Sequence, residues 1–469
     1  MAFIRSISGI RATEGDGLNI SVLSEYLISF GNLYGQGGIV FGRDGRSSGV
    51  WLEKLLISAF ESLGIPYLNI GIAPTPTIML MVEKFGFTGG ISITASHNPS
   101  QWNGLKFINS TGVFLNQDEN NKLWNLVDNK IYSLNKIETK INTQVENLIN
   151  NTNFDALDFH NSEILNLPLI KDNLQELKNY FKSVNFKVVV DAVNSSGSII
   201  VPNLLKALDI EVIELFCDQT KGFPHTPEPL TENLTELINE VKNQKANLGL
   251  AIDPDSDRLV IIGENGEAIG EENTIVLSVF AILNNLKNSN LQTNINIVVN
   301  GSTTSMVEKV ADKFRSKVIR SAVGEINVVE MMKLYNAIIG GEGSGGVILP
   351  ELHYSRDAVI GIALILSLIY NQKKSVNAIV EDLGKSIMKK DKMEFTGSLD
   401  SIITKIEKEF NGNEIIIGDG IKIYTNKYEW VQLRKSNTEP IIRIIAESDN
   451  KETTDKLMKK VKNILSESL

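Results

Sequence analysis

Short hydrophobic runs that suit buried strands alternate along this chain with longer amphipathic stretches that suit helices. The clearest runs are residues 38–41, 186–190, 246–252 and 295–299, and two helix-like stretches are residues 200–208 and 305–314. This alternation is typical of α/β domains, because parallel strands are buried on both faces and are joined by crossover helices. The 469 residues exceed what one hydrophobic core accommodates. We therefore expect several successive α/β domains.

The pattern changes toward the C-terminus. There, residues 402–410 and 453–465 look helical, while residues 421–424 and 430–433 look like strands. We predict three related α/β domains with mixed, largely parallel sheets over residues 1–160, 161–270 and 271–385, and an α+β domain over residues 386–469. The Asn-rich stretch 120–153 is interpreted as either a long surface helix or a linker.

Charge and cysteine content exclude several classes of protein. A net charge of -10 argues against a nucleic-acid or anionic-membrane surface. The single cysteine, Cys217, cannot form an intrachain disulfide, and the start of the chain lacks a signal-peptide core, so we expect a cytoplasmic protein. The longest apolar run, residues 358–370, is shorter than the roughly 20 residues that span a bilayer and predicts a buried helix.

A polar turn around Ser96 follows the strand-like run 90–93. A serine in such a turn is expected to be exposed enough to act as a nucleophile, and His97 and Asn98 can hydrogen-bond an incoming phosphate. The plainer alternative is a turn serine that only satisfies backbone groups. Lys106, shortly after, could act as an acid or base if desolvation lowers its pKa, although a solvated lysine is commoner.

Three carboxylates, Asp253, Asp255 and Asp257, alternate between two strand-like runs. They can converge on one hard cation, and Mg²⁺ suits carboxylates together with a phosphate oxygen. With Glu264 they also fall at positions one, three, five and twelve of a calcium loop. That alternative fails because Arg258 occupies the required glycine position and because the flanks are strand-like.

The glycine-rich stretch 340–346 carries Glu342 and Ser344. It matches Gly-x-Gly-x-x-Gly, but an extended segment follows it instead of the helix that a dinucleotide site needs. A carboxylate beside glycines suits vicinal sugar hydroxyls better, and a plain tight turn is the alternative.

A last polar segment combines the groups that hold a phosphate dianion: Arg434, Ser436, Asn437, Thr438 and, beyond it, Arg443. Alone, it would be no more than a polar turn.

In this order the four segments resemble the α-D-phosphohexomutase superfamily, which includes phosphoglucomutase, phosphomannomutase and phosphoglucosamine mutase. The likeness extends to residues 8–11, 42–49, 73–77, 191–194 and 223–229, and so covers nearly the whole chain. It implies four domains around a central cleft. It also implies an enzyme that interconverts hexose 6-phosphate and hexose 1-phosphate through a phosphoserine and a bound 1,6-bisphosphate.

The resemblance implies a role for each matching residue. Ser96, beside His97, would be the phosphoserine, and Asp253, Asp255 and Asp257 would bind the Mg²⁺ that also contacts its phosphate. The reaction centre would be lined by Arg11, Lys106 and Arg258. Sugar hydroxyls would be held by Glu342 and Ser344, and the phosphate that is not reacting by Arg434, Ser436, Asn437, Thr438 and Arg443.

One position departs from the family pattern. Many members have a histidine directly after Glu-x-Ser-Gly, whereas this chain has Gly346. Proton transfer is therefore assigned first to Lys106 and second to His353.

The expected reaction is glucosamine 6-phosphate to glucosamine 1-phosphate, since residues 322–329, 340–346 and 350–354 look more like phosphoglucosamine mutase than like dedicated phosphomannomutases. Glu342 and Glu325 could place negative charge near a C2 ammonium. The alternative is a phosphomannomutase/phosphoglucomutase. Neither a nucleic acid nor a membrane is expected as a partner, and a homodimer is compatible with the sequence.

Two other classes of protein fit the sequence less well. A metal-dependent serine phosphatase would require a more open site, usually with two metal ions. The four histidines of this chain are not spaced as metal ligands. A phosphosugar-binding protein without catalysis would not need both Ser96 and the three aspartates.

Overall fold

The computed structural model describes residues 3–288, 295–395, 397–435 and 441–467. It divides the chain into two compact units. The first contains Met1–Thr274 and Gly345–Asn377, and the second contains Ile275–Ser344 and Ala378–Leu469.

The first sheet of the first unit is mixed, with strand order β1-β2-β7-β6-β4-β5 and β3 paired to β2. Its strands are β1 (Phe3–Ser6), β2 (Gly9–Glu14), β3 (Gly17–Leu18), β4 (Ile39–Arg43), β5 (Tyr67–Ile72), β6 (Gly89–Ile93) and β7 (Trp102–Ile108). The accompanying helices are α1 (Ile20–Tyr34), α2 (Gly49–Leu63), α3 (Thr75–Phe85), α4 (Gln117–Asp128) and α5 (Thr143–Asn150). Parallel pairing of β4 with β5 and β6 is followed by antiparallel pairing of β6 with β7 and β7 with β2.

Close strand contact requires glycine where β2 meets β7. A Cβ at Gly104 would lie 2.0 Å from the Ile10 carbonyl oxygen, so no side chain fits there. Gly104 pairs with Arg11. Because side chains two residues apart share a face, this register puts Arg11 and Lys106 on the same face of the sheet.

The second sheet of this unit has the order β11-β10-β8-β9. It contains β8 (Lys187–Asp191), β9 (Glu211–Leu215), β10 (Leu248–Ile252) and β11 (Leu259–Gly263), with α6 (Ala156–Leu165), α7 (Pro168–Lys171), α8 (Leu174–Ser183), α9 (Gly197–Ala207) and α10 (Thr235–Gln244). Strand β8 is parallel to β9 and β10, whereas β10 and β11 are antiparallel. The loop with the three aspartates, residues 253–258 and here named the metal loop, connects β10 to β11.

In the second unit, β12 is parallel to both β13 and β14. These elements are α11 (Glu272–Asn288), β12 (Asn296–Asn300), α12 (Met306–Lys313), β13 (Lys317–Ser321), α13 (Glu325–Tyr335) and β14 (Ile339–Glu342). The chain then returns to the first unit with β15 (Gly346–Ile348) and the buried helix α14 (Ala358–Gln372).

The C-terminal part of the second unit is an antiparallel sheet of order β16-β20-β19-β18-β17. Its elements are α15 (Val376–Leu383), β16 (Ile387–Glu394), α16 (Asp400–Glu409), β17 (Glu414–Gly418), β18 (Gly420–Tyr424), β19 (Trp430–Lys435), β20 (Ile441–Ser448) and α17 (Lys451–Ser466). Apolar residues of α16 and α17 pack on one face of this sheet, including Ile402, Ile406 and Val461.

The predicted fold class is confirmed: three α/β sheets precede an α+β C-terminal part. The run 358–370 is helical and buried, as predicted. Within the described ranges, no helix combines the length and the apolar character needed to cross a membrane. The stretch 120–153 is neither one long helix nor a bare linker, because α4 and α5 flank irregular chain.

Candidate active site

Ser96 lies directly after β6 in a loop that is fixed by a buried ion pair. Asp44 Oδ2 lies 2.6 Å from Arg46 Nη1 and accepts a hydrogen bond from Thr94 Oγ1 at 2.7 Å. Arg46 Nη2 donates to the Ser96 carbonyl oxygen at 2.7 Å, and Thr94 Oγ1 accepts from the Ser96 backbone N–H at 2.8 Å. Ser96 adopts a φ of 52°, a left-handed conformation that costs energy for a residue with a side chain.

The expectation that Ser96 is exposed is wrong in this structure, where the residue is only 1% exposed. Arg46 holds the loop inward, and the serine Oγ faces Asp253 Oδ2 at 3.3 Å. His97 Nδ1 lies 3.3 Å from the same Oγ. The nearby Arg258 guanidinium, together with burial, lowers the pKa of His97 well below its usual value.

In each aspartate of the metal loop, one oxygen is held by short hydrogen bonds within the protein. The second oxygen contacts only Ser96 Oγ in Asp253 and has no hydrogen-bond partner in Asp255 and Asp257. Asp253 Oδ1 accepts backbone N–H groups of Asp257 and Arg258 at 3.0 and 3.1 Å, which leaves Oδ2 toward Ser96. Asp255 Oδ2 accepts from Lys106 Nζ at 2.6 Å and Thr75 Oγ1 at 2.9 Å, whereas its Oδ1 is buried without a hydrogen-bond partner.

Asp257 repeats this arrangement. Its Oδ2 contacts Arg356 Nη2 at 2.6 Å and Lys106 Nζ at 3.4 Å, while its Oδ1 is buried without a hydrogen-bond partner. Ligand oxygens of Asp253, Asp255 and Asp257 lie within 4.8 Å of one another. An orphaned buried carboxylate oxygen is costly in the absence of a cation, so this donor set fits a hard divalent ion such as Mg²⁺.

The pKa values of Asp253 and Asp257 shift in opposite directions. Burial raises the pKa of Asp253, and the neighbouring Asp257 and Asp255 raise it further. Although burial opposes it, the pKa of Asp257 is lowered, because Arg356, Lys106 and Arg258 favour its anion.

Lys106 departs from the expected pKa behaviour. Burial alone would lower the pKa of its ammonium, but the carboxylates of Asp255 and Asp257 outweigh burial and raise it. The premise that desolvation makes Lys106 a base is therefore wrong in this structure. Lys106 instead holds its proton between two carboxylates.

The first unit brings together most of the predicted reaction centre. Arg11 Nη1 donates to Asn98 Oδ1 at 3.0 Å in the serine loop, and burial lowers the pKa of Arg11. Arg258 Nε lies 3.7 Å from Asp257 Oδ1. Cations thus surround the three aspartates, which suits a dianionic phosphate.

His353, the second candidate for proton transfer, lies in a separate buried cluster. Its Nε2 is 3.0 Å from Asp357 Oδ2, and His160 Nε2 is 2.9 Å from the same oxygen. Asp357 Oδ1 accepts from the Val359 backbone N–H at 2.8 Å and so caps the N-terminus of α14. This geometry makes His353 a structural residue, and the proton-transfer assignment to it is not supported.

In the second unit, Glu342 is buried and oriented by two donors. Its Oε1 accepts from Asn300 Nδ2 at 2.8 Å and from the Gly324 backbone N–H at 3.1 Å. Ser344 lies two residues later, in the turn after β14, and is half-buried.

Two arginines of the predicted phosphate site face each other in the C-terminal sheet. Arg434 on β19 pairs with Arg443 on β20, and Arg434 Nε donates to Asp419 Oδ1 at 2.9 Å. Like charges opposite one another are unfavourable unless an anion compensates them. The other predicted members, Ser436, Asn437 and Thr438, lie outside the described residues.

Sequence reasoning missed four residues that organise the reaction centre: Asp44, Arg46, Thr75 and Arg356. The first three belong to stretches that contributed to the family resemblance, but nothing in one sequence told which of their side chains would reach the serine or the metal loop. Arg356 belongs to no motif, and only the fold brings it to Asp257.

Comparisons with known proteins agree with this arrangement. Profiles of the phosphoglucomutase/phosphomannomutase family match in chain order: α/β/α domain I at residues 4–133, domain II at 169–266, domain III at 276–386 and the C-terminal domain at 376–464.

Full-length relatives carry names from the same group. The chain is 31% identical over 98% of its length to a phosphoglucomutase/phosphomannomutase of Thermococcus kodakarensis, 98% of which is covered. It is 29% identical over 97% of its length to a phosphoglucosamine/phosphogalactosamine mutase of Sulfurisphaera tokodaii, 98% of which is covered.

A solved structure supports the fold. A phosphoglucomutase/phosphomannomutase family protein of Burkholderia thailandensis superimposes with a TM-score of 0.81 at 21% identity, covering 99% of this chain and 98% of that one. From the matching profiles and the full-length relatives together, the chain belongs to the phosphoglucomutase/phosphomannomutase family and is a phosphohexomutase, an intramolecular phosphotransferase.

Proposed function

We propose that this phosphohexomutase works through a phosphorylated Ser96 and interconverts glucosamine 6-phosphate and glucosamine 1-phosphate. The observation that carries the phosphoserine proposal is the 3.3 Å approach of Ser96 Oγ to Asp253 Oδ2. The same loop holds two orphaned carboxylate oxygens, on Asp255 and Asp257. Phosphoryl transfer needs positioning and charge neutralisation, and these groups supply both next to one hydroxyl.

Asp253, Asp255, Asp257 and the serine phosphate would hold Mg²⁺. When bound, the ion would neutralise charge on the transferred phosphoryl group. Lys106, Arg11 and Arg258 add fixed positive charge around the same phosphate. Thr75 and Lys106 orient Asp255 through its Oδ2.

The reaction balances as two phosphoryl transfers. In the first, an oxygen of the free sugar hydroxyl forms a bond to phosphorus, and the bond from phosphorus to Ser96 Oγ breaks. The proton that the sugar hydroxyl loses is balanced by the proton that Ser96 Oγ gains, and a hexose 1,6-bisphosphate results. In the second, Ser96 Oγ forms a bond to the other phosphorus, and the bond from that phosphorus to its sugar oxygen breaks. The proton that Ser96 Oγ loses is balanced by the proton that the sugar oxygen gains. Because its pKa is raised, Lys106 Nζ stays protonated at neutral pH and would act as a fixed positive charge beside the phosphate, not as the group that transfers the proton.

Glu342 supports an amino sugar as the substrate. Glu342 is 5% exposed, and its carboxylate accepts hydrogen bonds from Asn300 Nδ2 and the Gly324 backbone N–H. A charge-assisted hydrogen bond to a C2 ammonium is worth about 1.5–3 kcal/mol, against about 1 kcal/mol for a neutral hydroxyl. Glu325, which is also buried, would add negative charge to the same part of the second unit. The name of the Sulfurisphaera relative points the same way.

Arg434 and Arg443, paired across β19 and β20, would hold the phosphate that is not reacting, together with Ser436, Asn437 and Thr438. Asp419 orients Arg434 through the 2.9 Å contact to its Nε. A phosphate between the paired arginines would relieve their repulsion.

The substrate proposal is tested by measuring kcat/KM for glucosamine, mannose and glucose 6-phosphates on one enzyme preparation. We expect the value for glucosamine to exceed the other two by roughly tenfold, from the difference between a charged and a neutral hydrogen bond. A value for mannose or glucose equal to or above that for glucosamine overturns the substrate. The name of the Thermococcus relative favours a phosphomannomutase/phosphoglucomutase as the second candidate.

A further inference from the structure

Gly346 has no room for a side chain, and the reason lies in Arg356. A Cβ at Gly346 would lie 2.3 Å from Arg356 Cδ and 2.9 Å from Arg356 Cγ. The arginine stem therefore fills the space in which a side chain at position 346 would begin. Gly346 does not have a positive φ, so steric contact alone requires glycine there.

The backbone around Arg356 is fixed on both sides. Arg356 forms an antiparallel bridge with Ile348 on β15, and the Asp357 N–H donates to the Val347 carbonyl oxygen at 2.9 Å. Asp357 then caps α14, and the Ala358 N–H donates to the Ser256 carbonyl oxygen of the metal loop at 3.0 Å. A side chain that starts from such a fixed backbone can position another group accurately.

The group that Arg356 positions is Asp257. Arg356 Nη2 lies 2.6 Å from Asp257 Oδ2, and both side chains are largely buried. Lys106 shares that oxygen at 3.4 Å, whereas Asp257 Oδ1 has no hydrogen-bond partner. One oxygen of the Asp257 carboxylate is thus held by a fixed cation. The other makes no hydrogen bond, has only Arg258 Nε at 3.7 Å, and can coordinate a metal ion.

We propose that Arg356 is a positioning residue that keeps Asp257 a one-oxygen metal ligand, and that glycine is required at position 346 because the Arg356 stem passes there. The proposal rests on the proposed function, since it assigns the metal loop its Mg²⁺. Without the guanidinium, the carboxylate could turn and offer both oxygens to the ion. The ion would then be bound more tightly by the protein. It would, however, stabilise the charge of the phosphate less and orient the phosphate less accurately.

The sign of the change in metal affinity separates this role from structural damage. Removing a buried positive charge next to a metal ligand removes repulsion of a divalent cation. In Arg356→Met, which keeps an apolar stem, we expect the dissociation constant for Mn²⁺, measured by electron paramagnetic resonance without substrate, to fall at least threefold. We expect kcat to fall at least tenfold, with KM for the hexose phosphate changed less than threefold.

Arg356→Lys restores a positive charge at this position. It should recover part of the wild-type kcat and should bring Mn²⁺ affinity back toward the weaker wild-type value. Gly346→Ala should displace Arg356 and reproduce the Arg356→Met pattern, and adding Gly346→Ala to Arg356→Ala should change kcat little further. Gly361→Ala is the matched control, because the atoms nearest to its Cβ belong to the Leu259 and Val347 side chains and lie 3.4 Å or more away.

Unchanged kcat in Arg356→Met overturns the proposal, and so does weaker Mn²⁺ binding with no recovery in Arg356→Lys. The Mn²⁺ measurement does not depend on turnover. If the wild-type enzyme proves inactive on hexose phosphates while Arg356→Met still binds Mn²⁺ more tightly, the function assigned above fails and the positioning role survives.

Discussion

At the scale of single residues, Asp255 is the metal ligand whose role is tested most cleanly. Its Oδ1 is unpartnered, and its Oδ2 is held by Lys106 and Thr75. Asp255→Asn keeps the shape but removes one of three hard anionic ligands. We expect the Mg²⁺ concentration for half-maximal activity to rise at least tenfold, as measured by titrating Mg²⁺ into enzyme stripped with EDTA.

The control is Asp128→Asn, which changes a half-exposed carboxylate paired with Arg5. It should leave the Mg²⁺ requirement unchanged. An Asp255→Asn enzyme with the wild-type requirement would contradict the metal-loop assignment.

Lys106 neutralises the negative charge of two buried carboxylates, Asp255 and Asp257. Removing its charge should therefore destabilise the fold most when no divalent cation is present. Removing one partner of a buried ion pair costs about 3–5 kcal/mol. Lys106→Met should therefore lower the apparent Tm markedly in EDTA and less in excess Mg²⁺, because the bound ion supplies replacement charge. Thermal unfolding followed by circular dichroism measures both values.

Lys122→Met, an exposed change on α4, serves as the comparison for this substitution. An equal drop in Tm for Lys106→Met with and without Mg²⁺ would show that the ammonium is not coupled to the metal loop.

At the scale of elements, α14 depends on Asp357 at its N-terminus. The carboxylate caps the helix through Oδ1 and accepts two imidazole contacts through Oδ2. Burial acts against the anion, but His160 and His353 outweigh it and hold the pKa of Asp357 below its usual value. Asp357→Asn should lower the free energy of unfolding by roughly 2–4 kcal/mol, since both contacts lose their charge.

Urea unfolding at neutral pH measures this change. Asp155→Asn is the matched substitution, because Asp155 also caps a helix, α6, but is exposed and accepts only backbone N–H groups. Asparagine caps helices about as well as aspartate, so Asp155→Asn should be nearly neutral. Equal effects of the two substitutions would contradict the role given to the histidines.

The elements were more predictable from the sequence than the contacts between them. Runs such as 246–252 and 358–370 predicted β10 and α14 because hydrophobic period and length are local properties. The burial of Ser96 was not predictable, since it depends on Arg46, fifty residues earlier in the chain. The raised pKa of Lys106 likewise depends on carboxylates about 150 residues away, which no local pattern reveals.

At the scale of the whole molecule, each compact unit carries a different part of the proposed chemistry. The first unit holds the serine loop, the metal loop and Arg356, whereas the second holds Glu342, Ser344 and the paired arginines. The sequence predicted four domains with one motif in each, and the serine and aspartate motifs do follow β6 and β10 of separate sheets. All of the proposed steps pass through one atom, Ser96 Oγ.

The most direct test of the account is therefore to locate the phosphate. The enzyme is incubated with a hexose 1,6-bisphosphate and Mg²⁺, digested and analysed by mass spectrometry, with Ser96→Ala treated in parallel. We predict phosphate on Ser96 in the wild type, and neither phosphate nor mutase turnover in Ser96→Ala, which should still bind Mn²⁺. Full turnover in Ser96→Ala, or a wild-type phosphate found only on another residue, would contradict the phosphoserine mechanism.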